Sequence, residues 1–98
     1  MATKEEKFLE AKEDILNSLA NIEISVSQLE EQNILNDSSE FYNQIDELIE
    51  NAKVLNNPSE LDLVIDRAKV LEKKLDVFLA ENGISTVEIN WPDLSAFY

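Results

Sequence analysis

Three stretches of this chain place their apolar residues at alternating steps of four and three. The first is Ile15, Leu19, Ile22, Val26 and Leu29, with Phe8 upstream; the second is Phe41, Ile45, Leu48, Ala52 and Leu55; the third is Leu61, Val64, Ala68, Leu71, Leu75 and Phe78. A mean step of 3.5 residues keeps a stripe on one side of an α-helix, whereas in a strand the same residues would scatter over both faces. The spacing therefore predicts three amphipathic helices. One glycine and two prolines in 98 residues agree, because a sheet protein needs turn residues at short intervals.

Local punctuation sets the boundaries. Thr3 followed by Glu6 is a capping box that opens a helix over about 4–34. "NDSSEF" restarts the chain with Asp37 or Ser38 as cap, predicting a second helix over about 38–56. In "NNPSEL", Asn57 caps and Pro58 takes the first helical position, where its missing N–H costs nothing, so a third helix runs over about 58–82. Gly83 then supplies the left-handed residue that ends it, with Ile84 folding back on the last turn. Short connections make neighbours antiparallel. The expected fold is all-α, an up-down-up three-helix bundle over 1–84 with an extended tail over 85–98. The second helix is too short to cover the first, so the N-terminal turns are expected to project past it.

Two apolar features fall outside the stripes. Leu63, Val70 and Val77 repeat every seven residues on the third helix, more than 90° from its main seam, and form either a binding strip or a shelf for the tail. In the tail, Val87, Ile89 and Trp91 alternate with polar residues and share one side of an extended segment. Leu94 and Phe97 then point inward from a single helical turn. The tail is expected to lie on its own bundle, to order on a partner or to swap onto a second copy. Trp91 is the leading hot-spot candidate.

Charge is distributed as unevenly as it is abundant. The chain has 21 acidic and 8 basic residues, a formal net charge of −13. Between Lys12 and Lys53 there is no lysine or arginine, while Glu30, Glu31, Asp46, Glu47 and Glu50 belong to a group of ten acids there. The negative field should concentrate on the first two helices and be complementary to a cationic protein surface. It repels nucleic acid and anionic membranes.

Chemistry is not encouraged by this composition. Histidine and cysteine are absent, no acid lies within an apolar stripe, and there is no glycine-rich phosphate loop or nucleophile elbow. No catalytic residue, metal site or cofactor is expected. With no apolar run of membrane length and no leader-like start, the cytoplasm, bacterial or phage-infected, is the expected compartment. The expected function is that of a non-enzymatic binder of a basic protein, an inhibitor, antitoxin, immunity protein or chaperone-like partner. Two other readings are a homodimer or other homo-oligomer joined through the apolar surfaces, and a DNA mimic whose carboxylates imitate phosphates.

Overall fold

The computed structural model describes residues 3–35, 38–86 and 89–97. They form an all-α bundle of three helices: α1 (Lys4–Glu31), α2 (Ser39–Val54) and α3 (Pro58–Glu81), with a short 3-10 turn at Ser95–Phe97. No strand occurs among the described residues. The body measures 46 × 22 × 19 Å, its long axis set by α1.

The stripes do what their spacing requires. Ile15, Leu19, Ile22, Val26 and Leu29 of α1, Ile45, Leu48 and Ala52 of α2, and Leu61, Val64, Ala68, Leu71 and Leu75 of α3 are buried together. Ile65 and Leu79 widen the buried side of α3, which has to face α1, α2 and the tail.

Side chains cap the N-termini of α1 and α3, and backbone bonds around a left-handed residue close their C-termini. Thr3 Oγ1 accepts from the Glu6 amide at 3.1 Å, and Asn57 Oδ1 accepts from the Ser59 amide at 3.0 Å with Pro58 following it. At the C-terminus of α3, the Ile84 amide donates to Leu79 O and the Gly83 amide to Ala80 O, with Gly83 at φ 70°. The end of α1 repeats this motif around Asn33, at φ 59°: the Ile34 amide donates to Leu29 O and the Asn33 amide to Glu30 O. Asparagine is the non-glycine residue that best tolerates this conformation. That stop is why α1 ends at Glu31 and not near residue 34. Nothing lies within 4 Å of where a Gly83 Cβ would stand, so Gly83→Ala meets no clash and only backbone strain. The expected loss in urea unfolding is about 1 kcal/mol.

α2 also ends earlier than expected. Leu55 is already extended, and Asn57, which precedes a proline, is held extended at φ −103°, ψ 125°. The α2 N-terminus differs more. Ser38 occupies the cap position, but its hydroxyl donates to Glu30 Oε2 on α1 and makes no capping bond. Asp37, the other candidate cap, lies outside the described residues. At the opposite end, Lys12 Nζ donates to Lys53 O at 2.7 Å and to Asn56 Oδ1 at 3.3 Å, placing a cation at the negative end of α2. These two ties fix α1 and α2 antiparallel.

The tail is the fourth layer of the bundle. It turns at Gly83 and runs back beside α3. Ile89 lies in a crevice with Ile22, Leu75 and Leu79; Trp91 reaches Glu72; Asp93 is near Lys69; Phe97 stands beside Pro58 and Phe8. α1 packs more extensively on α2 than on α3, and the tail fills the seam so left. Leu94 is 1% exposed and belongs to the core. The first turns of α1 do extend past α2, and there Phe8 meets Phe97 edge to face, ring centroids 5.5 Å apart.

Candidate protein-binding surfaces

The tail residues expected to meet a partner are spent inside the fold. Leu94 points inward from the terminal turn as expected, and that burial makes it a core residue and not a partner contact. Ile89, Trp91 and Phe97 are half-buried against the same core. The Trp91 indole N–H donates to Glu72 Oε1 at 3.3 Å, while Glu72 Oε2 is buried without a hydrogen-bond partner among the described residues. Asp93 caps the terminal turn. The Ser95 backbone N–H bonded to its carboxylate at 3.0 Å, then the Ser95 side chain, hold its pKa below the usual value, with Lys69 adding to the effect. The stabilisation from Asp93 is therefore present at neutral pH and is lost as pH falls through the lowered folded value. Val87 lies outside the described residues.

Leu63, Val70 and Val77 stand where the seven-residue repeat puts them, in one exposed row on the outer side of α3, each close to 60% accessible. The tail does not cover them. It follows the α1–α3 seam, where buried apolar surface was available, and passes the row on its flank. Val70 borders two hollows. One, of about 580 Å³, lies toward the tail with Trp91 and Ile89; the other, of about 230 Å³, lies toward α2 with Glu47, Gln44 and Arg67.

The acidic residues divide between structural and free roles. Glu30 is tied to Ser38. Glu50 sits 3.8 Å from Lys53, both well exposed, a contact of little energetic weight. Glu31, Asp46 and Glu47 are exposed. Among the described residues no group of three acids is arranged to hold a metal ion. Among the described residues no helix is long and apolar enough to cross a membrane.

The structure adds residues that the stripes did not single out. Ile24 is 55% exposed and lines a shallow groove of about 300 Å³ between α1 and α2 with Ala20, Glu23, Ser27 and Tyr42. Val54 and Leu9 are exposed as well. Each is a lone apolar residue off its helix's main stripe, and that departure is the only trace it leaves in the sequence. No protein-family model matches this chain, and no characterised protein or solved structure is found to be similar to it. The functional reading therefore rests on these surfaces alone.

Proposed function

We propose that this chain is a non-catalytic acidic binding protein that docks onto, and masks, a more basic protein through the outer groove between α1 and α2. The observation that carries the reading is the combination found there. Exposed Ile24 and half-buried Tyr42 offer apolar grip in the part of the chain, between Lys12 and Lys53, that holds ten acids and no base. Glu23 lines the groove, and Asp46 and Glu31 are exposed on the same two helices. Acids on the rim steer a cationic surface to the groove and set the rate of encounter, while a desolvated apolar centre sets the lifetime. A chain with neither histidine nor cysteine brings no thiolate nucleophile and no imidazole base to this arrangement.

Affinity capture from the native lysate tests this. Basic proteins held at about 50 mM salt are expected to be released at about 500 mM, where the Debye length is only a few ångströms. Glu23→Lys with Asp46→Lys is expected to slow association about tenfold, and Ile24→Ser to speed dissociation by a similar factor. Capture that survives high salt and both variants would remove the groove from consideration. Release of the captured protein by duplex DNA would assign the acids the part of phosphates.

A further inference from the structure

The outer face shared by α2 and α3 carries a two-signed pattern. On α2, Glu40, Glu47 and Val54 are exposed and follow one another at seven-residue steps. On α3, Leu63, Val70 and Val77 form the parallel row, with Arg67 and Lys74 exposed between the two rows, also seven apart. A seven-residue step is about 10.5 Å along a helix, so the acids of one row and the cations of the other share a spacing. The levels match too. α2 and α3 run antiparallel, and Glu47 lines the same hollow as Arg67 and Val70. Continuing along the helices at that register brings Glu40 to the level of Lys74, and Val54 to the level of Glu60, one turn before Leu63. Arg67, Lys73 and Lys74 are held by no ion pair among the described residues.

We infer that this face is a self-association surface and that its occupant is a second copy of the chain. A two-fold axis parallel to the helices, passing between α2 and α3, lays α2 of each copy on α3 of the other without changing any level. Glu47 of the second copy then meets Arg67 and its Glu40 meets Lys74, while its Val54 lies one turn from Leu63. Val70 lies at the centre, where it contacts the stem of the incoming Glu47. The contact is isologous, so every pair forms twice.

A uniformly basic partner would suit Glu60 and Glu81 of the same seven-residue row but be repelled by Arg67 and Lys74 at its centre. A uniformly acidic one would be repelled by Glu40 and Glu47. A second copy carries both signs at the required spacing. The footprint is modest. A two-helix layer about 24 Å long and 20 Å wide covers roughly 500 Å² per copy, near the lower limit for a specific interface. The net charge of −13 on each copy also opposes association. A dimer that forms at high micromolar concentration is therefore expected, held by the local match. The groove with Ile24 is not part of this face, so the inference stands apart from the binding of a basic protein.

Sedimentation equilibrium of the purified chain at about 0.15 M salt tests it, where longer-range repulsion is screened. The apparent mass is expected to rise with concentration from 11.2 kDa toward twice that value. Arg67→Glu alone and Glu47→Arg alone are each expected to weaken the dimer at least tenfold. The two together restore the pairing with exchanged signs and are expected to recover most of the loss. Both sites are exposed, and unchanged helical circular dichroism checks that the variants fold. A strict monomer at about 1 mM, weaker than any specific dimer worth the name, would overturn the inference and leave the face to another molecule. A dimer indifferent to the single charge reversals, or one that the double exchange fails to restore, would overturn it equally.

Discussion

Removal of residues 85–98 is expected to unfold most of the protein at ordinary temperature, and Leu94→Ala alone to cost about 3 kcal/mol. Leu94 is 1% exposed among residues of the core, so truncation leaves a cavity that the surrounding helices fill only in part. Ile89, Trp91 and Phe97 add partial burial along the seam between α1 and α3. A fully buried side chain of this size contributes about 1.5–3 kcal/mol, and the half-buried ones somewhat less. Their sum is comparable with the whole stability of a domain this size, about 5–15 kcal/mol. Urea unfolding followed by circular dichroism measures both changes, and Trp91 gives a fluorescence signal confined to the tail. If the truncated chain melts like the full one, the tail is a detachable ligand strand and not a layer of the bundle.

Ile45→Ala is expected to have the next largest effect, about 2–5 kcal/mol. α2 is the shortest helix, and it buries only Ile45, Leu48 and Ala52 completely. Sixteen residues are marginal as a helix on their own, so α2 persists because it is packed. At its N-cap the Ser38 hydroxyl serves Glu30 and makes no capping bond. With Ile45 at 0% exposure, nothing but the core receives its side chain. The matched control is Leu63→Ala, an equally severe truncation of an exposed residue, expected to change monomer stability by less than about 0.5 kcal/mol. A large loss for Leu63→Ala would mean that its surface is covered.

The helices were legible because their signals are local. A stripe at 3.5-residue spacing, a proline after a capping asparagine and a glycine before an isoleucine act on their own neighbours. Asn33 shows where this stops. It does for α1 what Gly83 does for α3, yet asparagines lie near every helix end but the first, and a left-handed one looks like any capping one. The path of the tail was not legible for a different reason. Alternation at Ile89 and Trp91 says that one side is apolar, but not which groove receives it. The α1–α3 seam takes it because the two helices leave that seam open. Surface features depend on partners across helices even more. Glu47 reads along α2 as one acid among many and gains its particular meaning only beside Arg67 and Val70 of α3. Lys12 is a similar case: it begins the cation-free interval in the sequence, and in space it closes the end of α2.

The contact between Phe8 and Phe97 has a consequence for the order of assembly. It joins residues from nearly opposite ends of the chain, so its closure entropy is large. Helices form and pair over much shorter separations. The tail should therefore zip from the Gly83 turn toward Phe97, and in the native state open from Phe97 backward. Amide hydrogen exchange would record this as faster exchange at Ser95 and Phe97, bonded within the terminal turn, than at Ile84, bonded to the end of α3, with α3 itself unaffected.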